Sequence, residues 1–192
     1  MAGDTRDRMI DATVEALRRR GVAGMSFTEV LRDSGAARGA IYHHFPGGKG
    51  QLVAEAASRN GRDVRANLAA LPADDPLALV ESFLALIRPV VECSATGSGC
   101  AVAAVTIASG EPAENASLRE VAATAFASWT DALAARLRVS GLAPDAATDL
   151  ATTLLALLEG AQVLCRAEGS VAPFDRMTRT ALDLTRTRYA AR

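Results

Sequence analysis

Residues 26–45 constrain this chain more than any other stretch. SFTEVLRDSGAARGAIYHHF sets two short helical patterns on either side of a glycine. Ser26 followed by Glu29 has the spacing of a capping box: a hydroxyl for the open amides of a first turn, and a carboxylate reaching back. Phe27, Val30, Leu31 and Ser34 then recur at helical spacing. Gly35 stands where a helix end calls for a left-handed residue. A second pattern starts at once, with Ile41 and Phe45 at i, i+4 on one face and Arg38, Tyr42 and His43 off it. Helices this short cannot bury themselves. They need a third helix to pack on and a purpose, and a helix-turn-helix supplies both.

The third helix is written just upstream. Met9, Ile10, Val14 and Leu17, with Thr13 beside them, form an apolar stripe within about residues 4–20. The run Arg18-Arg19-Arg20 ends it favourably against the helix dipole. Gly21 to Gly24 mark a turn, and Pro46-Gly47-Gly48 stops the second short helix. Lys49 opens a fourth, running to about Leu71.

Downstream the pattern stays helical. Pro72 and Pro76 frame a loop, and a helix over about 76–93 carries Pro89, which should kink it for want of an amide donor. Thr96-Gly97-Ser98-Gly99 reads as the most flexible break. A short helix from Cys100 to about Ser109 is closed by Gly110 and Pro112. A long one over about 113–139 sets Leu118, Val121, Phe126, Trp129, Leu133 and Leu137 on a broad face, ending at Ser140-Gly141. Helices over about 144–167 and 174–190 complete the chain. With 49% apolar residues but only 4% aromatic, the composition suits helices rather than strands.

Gly35, Gly39, the run Ile41-Tyr42-His43-His44-Phe45 and Lys49, in that order and spacing, resemble the DNA-binding end of the TetR family of bacterial transcriptional regulators. The amphipathic first helix and the Gly21–Gly24 turn fit as well. The fuller string GAIYHHFPGGKGQL is most similar to the LmrA/YxaF-type subgroup. The likeness is specific over about the first third of the chain. Weaker echoes follow in Glu159-Gly160-Ala161 and in Phe174-Asp175.

The resemblance implies an all-α fold: a three-helix helix-turn-helix DNA-binding domain over 1–48, and a helical ligand-sensing and dimerisation domain over 49–192. It also implies roles, position by position. Arg38 would read guanine O6 and N7 in the major groove. Gly39 and Ala40 would allow close approach and apolar contact with a thymine methyl. Tyr42 and His43 would bond phosphate oxygens. Ser26 and Thr28, at the start of the second helix, and Lys49, at the start of the fourth, would anchor the backbone. His44 points toward the side of Phe45 and is assigned to packing, as are Ile41 and Phe45. Where the family commonly places a capping Ser or Thr before the basic residue, this chain has Ala37, so the third helix lacks a side-chain cap.

Charge alone says less. The chain has a net charge of −1, with +2 on residues 1–50 and −3 beyond, a mildly positive end on an acidic body. Of 21 basic residues, only Lys49 is a lysine, a bias read as genomic composition. Cys93, Cys100 and Cys165 are three, widely spaced and without a CxxC, so they read as reduced buried thiols rather than a zinc or redox motif. The N-terminus is charged from Asp4 with no apolar run of a signal peptide, and the longest apolar run, Cys100 to Val105, is too short to cross a bilayer. These observations give a soluble, cytoplasmic expectation with no membrane partner.

No catalytic constellation appears beyond residue 50. His43 and His44 are the only histidines, which removes every histidine-based triad or relay from the larger domain. There is no phosphate loop after a strand and no acidic cluster with metal spacing, so no cofactor, no metal and no enzyme activity are expected. A helical body attached to a DNA-binding end reads as a sensor for a lipophilic small molecule. Phe83, Leu84, Ile87, Val102, Val105, Thr106, Phe126 and Trp129 are candidates to line its pocket, with ordinary core packing the competing reading. The helix over 144–167 is apolar on more than one face and therefore wants cover on all sides. Leu154, Leu158, Gly160 and Ala161 are its candidate contacts in a homodimer, the alternative being a core helix within one chain. The function expected is a ligand-responsive repressor that binds double-stranded, palindromic operator DNA as a dimer. The alternative is a helical DNA-binding or protein-interaction module without an effector.

Overall fold

The structure, a computed structural model, describes residues 2–107 and 112–189. Its regular elements are all helices: α1 (Ala2–Gly24), α2 (Phe27–Ser34), α3 (Ala40–His44), α4 (Gly48–Ala69), α5 (Pro76–Ala95), α6 (Ala101–Thr106), α7 (Pro112–Val139), α8 (Pro144–Glu168) and α9 (Ala172–Tyr189). By their contacts these form two compact units, Met1–Asp63 with Cys100–Ala125, and Val64–Gly99 with Phe126–Arg192. The boundary falls inside α4 and again inside α7. The contacts thus draw a different division from the functional one expected at residues 48 and 49.

In the first unit the local signals act as their chemistry requires. Gly21, at φ 65° and ψ −176°, breaks α1 at the turn the glycines marked. Met9, Ile10, Val14 and Leu17 are buried upstream of it, and buried Thr13 satisfies its hydroxyl by donating to the carbonyl of Met9 at 2.8 Å. Ser26 caps α2 by accepting the amide of Glu29 at 3.2 Å. Gly35 ends that helix at φ 65°, its amide turned back to the carbonyls of Arg32 and Leu31. The other half of the capping box is redirected: the Glu29 carboxylate pairs with the Nε of Arg20 at 3.1 Å. α4 buries Leu52, Val53, Ala56 and Ala57. Farther along it, Gly61 lies so near α7 that an added methyl would stand 2.9 Å from the Ala125 side chain.

The same unit holds α6, which packs on α1. It starts at Cys100, whose thiol accepts the amide of Ala103 at 3.3 Å. Its end is at Thr106; the expected stop at Ser109 and Gly110 lies outside the described residues.

In the second unit α5 packs against α8 and α9. Asp75 caps α5 by accepting the amide of Ala78 at 2.9 Å, and the helix stays continuous through the exposed Pro89. Arg88 ties α5 to α9, meeting Asp175 at 2.6 Å with its guanidinium over the Phe174 ring. Buried Ser94 and Gln162 share a hydrogen bond between α5 and α8. The Thr96–Gly99 segment is a hydrogen-bonded turn, in which the amides of Thr96 and Ser98 donate to the carbonyl of Cys93.

α8 meets the length and hydropathy needed to cross a membrane, although its longest unbroken apolar run does not suggest it. A core helix meets the same test, and Leu154, Leu155, Leu158, Ala161 and Cys165 are buried within the chain. Leu154, Leu158 and Ala161 are thus packed within the subunit. Gly160 is half-buried. The apolar residues left outside are Val163 and Leu164 on α8 and Leu184 on α9, exposed by 68%, 50% and 65%.

Candidate nucleic-acid interface

α3 is a single short turn of helix laid on the core by Ile41 and Phe45, each 1% exposed. Tyr42, at 67% exposure, and His43 face outward. The N-cap is Gly39 rather than Ala37, and it carries no side chain to make a capping bond. Instead the amide of Ala40 donates to the carbonyl of Ala37 at 2.9 Å. Arg38 and Gly39 therefore lie in the turn before α3, one step upstream of the helical first turn that the spacing implied. Both are exposed, and Ala40 is half-buried. The turn leaves Arg38 reaching into solvent.

Tyr42 is braced by Phe27 of α2, whose ring meets it edge-on at a centroid distance of 6.1 Å. Sequence reasoning placed Phe27 in the apolar stripe and missed this second task. His43 and His44 stand with rings 5.0 Å apart. Half-buried His44 also approaches the Phe45 ring, in keeping with a packing role. Among the described residues no three His, Cys, Asp or Glu side chains gather as a metal site.

Ser26 and Thr28 are exposed at the start of α2, with the Ser26 hydroxyl committed to its capping bond. On the same helix the Arg32 guanidinium, bonded to Asp33 at 2.8 Å, holds that carboxyl below its usual range. Lys49 is half-buried and donates to the carbonyl of Met25 at 2.9 Å, so its ammonium spans from α4 to the α1–α2 connection. At the turn between α3 and α4 the amide of Gly48 donates to Phe45, and that of Gly47 to the side chain of Gln51 at 2.8 Å. The i, i+4 spacing of Gly47 and Gln51 could have revealed the second bond. Nothing in the sequence pairs Arg6 with Glu55, which the structure brings together.

The residues proposed to line an effector pocket divide between the units. Phe83, Leu84, Ile87 and Trp129 are buried in the second, where half-buried Phe126 meets Trp129 edge-on at 5.0 Å. Val102 and Val105 are buried in the first, and Thr106 is exposed.

A short outward helix behind a glycine turn, seated on two supporting helices, defines a helix-turn-helix DNA-binding protein. Residues 9–56 match the family described as bacterial regulatory proteins, tetR family. Residues 76–180 match the transcriptional regulator LmrA/YxaF-like C-terminal domain. The HTH-type transcriptional regulator Rv0196 of Mycobacterium tuberculosis is 33% identical over 177 residues, spanning 91% of this chain and 90% of that protein. LmrA of Bacillus subtilis, also an HTH-type transcriptional regulator, is 29% identical over 167 residues, spanning 84% and 86%. Two solved TetR-family regulators share the fold. The one from Cytophaga hutchinsonii has a TM-score of 0.79 at 23% identity, covering 100% of this chain and 98% of its own. That from Agrobacterium tumefaciens has a TM-score of 0.77 at 22% identity, covering 95% and 98%. The chain belongs to the TetR family of DNA-binding transcriptional regulators, with a C-terminal domain of the LmrA/YxaF-like kind. Its relatives and both matched domains are regulators, not enzymes.

Proposed function

We propose that this regulator is a cytoplasmic repressor that binds a near-palindromic operator as a homodimer and is released by a lipophilic small molecule. The observation that carries the DNA side is the common exposure of Arg38, Gly39, Tyr42 and His43 around a helix seated by buried Ile41 and Phe45. Arg38 reads a base, Gly39 and Ala40 let the backbone approach, and Tyr42 and His43 bond phosphates. Ser26, Thr28 and Lys49 anchor the backbone on either side. Residues 1–48 form the DNA-binding domain in this reading, and 49–192 the sensing and dimerisation domain.

Dimerisation is supported by the apolar residues that α8 and α9 leave in solvent. A groove of about 210 Å³ between them is lined by Leu150, Leu154, Leu157 and Leu184, with Asp149 and Arg188 also lining it. Val163 and Leu164 extend the apolar surface of α8. A two-fold protein requires a two-fold site, hence the palindrome. For the effector, Phe83, Leu84, Ile87, Phe126 and Trp129 are the candidates in one unit; Val102, Val105 and Thr106 stay candidates in the other.

Selection of duplexes from a random DNA pool tests the operator: an enriched inverted repeat is expected, and an enriched single half-site would remove the dimeric reading. A thermal-shift screen with lipophilic compounds then tests the effector. Compounds that raise the melting temperature and release the selected duplex are expected. Stabilising compounds that leave DNA binding unchanged would leave a plain DNA-binding module.

A further inference from the structure

The turn that presents α3 has little backbone bonding of its own, yet side chains enclose it. Only two residues, Pro46 and Gly47, separate Phe45 from the start of α4. The amide of Gly48 returns to the carbonyl of Phe45 at 2.9 Å. From there a chain of side chains leads outward and comes back. The Gly47 amide donates to Oε1 of Gln51 at 2.8 Å, and Nε2 of Gln51 donates to Oε1 of Glu55 at 2.9 Å. The second oxygen of Glu55 takes Nη2 of Arg6, from α1. The Arg6 guanidinium lies over the ring of Phe45, 5.3 Å from its centroid. The circuit closes on the last anchor of the DNA-facing helix.

Each link alone is modest. A pair as exposed as Arg6 and Glu55, with side chains 39% and 28% accessible, contributes little as an isolated surface ion pair. Together they do something else. Glu55 satisfies two donors with two oxygens, so it sets the position of Gln51 and of Arg6 at once. Gln51 fixes the peptide of Gly47, where an added methyl would stand 3.0 Å from the Gln51 oxygen. Arg6 fixes the ring of Phe45. Both ends of the turn are therefore indexed to one carboxylate. A small tilt of α3 would move Tyr42 and His43 relative to Lys49, and the hydrogen bonds of a DNA contact tolerate displacements of only a few tenths of an ångström.

We infer that Glu55, with Arg6 and Gln51, is a positioning residue for DNA binding: it touches no nucleic acid but sets the angle at which α3 is offered. This rests on the operator-binding reading above. It makes two demands that a merely stabilising ion pair does not. The effects of Arg6 and Glu55 must be non-additive, because they act through one circuit. And the salt dependence of binding must stay as it was, because no phosphate contact is lost.

The test uses the full-length protein and a duplex that the unaltered protein selects from a random pool. If the unaltered protein enriches no duplex, the operator reading fails before this one is reached. With a selected duplex, Glu55→Ala and Arg6→Ala should each weaken binding about tenfold, and the double variant should be no weaker than the worse single. The slope of log affinity against log salt should match that of the unaltered protein. Exchange of the charges, Arg6→Glu with Glu55→Arg, should recover part of the loss. Should Glu55→Ala fail to fold by circular dichroism, the isosteric Glu55→Gln replaces it, with a loss of about threefold expected. Affinity within twofold of the unaltered protein, or losses that multiply in the double variant, overturns the inference. So does a slope reduced by about one, which would mean that Arg6 meets a phosphate directly.

Discussion

Lys49 donates its ammonium to the carbonyl of Met25 at 2.9 Å, joining the first turn of α4 to the residue just before the Ser26 cap of α2. Two helix N-termini that can each meet a phosphate are thereby held by one side chain. The lysine has three donors, and this bond uses one of them.

Two separate effects of Lys49→Ala follow. Losing a charged hydrogen bond from half-buried Lys49 to buried Met25 should lower stability by about 1.5 kcal/mol in urea unfolding. Losing the phosphate contact should lessen the salt slope of operator binding by about one. An unchanged slope with reduced stability would leave Lys49 a structural brace alone.

Arg38→Ala should relax preference at one base pair of each half-site, costing about 1–3 kcal/mol per contact. Tyr42→Phe, by contrast, should weaken binding to all sequences alike, because it removes only the phenolic hydroxyl and keeps the ring on Phe27. Competition between selected and scrambled duplexes separates the two. Equal loss on both for Arg38→Ala would remove its base-reading role.

Ser26→Ala removes the acceptor for the Glu29 amide and should cost about 1 kcal/mol of stability, read as a shift of the urea midpoint at constant slope. Glu29 keeps Arg20, so the first turn should not unravel.

Gly61→Ala places a methyl against Ala125 where neither helix has room. Overpacking of this kind typically costs about 1–3 kcal/mol, and the thermal melt should fall accordingly. A melt equal to that of the unaltered protein would show that α4 and α7 separate freely at that point.

Exposed and buried leucines of the last two helices should respond differently to charge. Leu184→Glu, at a 65% exposed position, should yield a folded protein that sediments as a monomer if α9 carries the dimer contact. Leu154→Glu, at a 1% exposed position, should instead unfold the chain, because a carboxylate is buried without a partner. A dimeric Leu184→Glu variant would move the interface elsewhere.

Much of the candidate interface was legible because its signals are local. The Ser26 cap and the left-handed Gly35 each depend on residues within four positions, and both stand as the sequence implied. Two local readings shifted. Arg38 lies in the turn because the cap is Gly39, not Ala37, and the helix begins only at Ala40. Glu29 turned from the Ser26 amide to Arg20 because a guanidinium is a stronger partner than a neutral amide.

By itself the sequence determined the helical class, most helix ends and the outward face of α3, since caps, glycine conformations and i, i+4 spacing act within one or two turns. Tertiary structure alone decided which face of α8 is covered, that Lys49 reaches Met25 and that Arg6 reaches Glu55. Those pairs lie 24 and 49 positions apart. No periodicity encodes such a partnership; it exists only once packed helices bring the two backbones within a side chain's length.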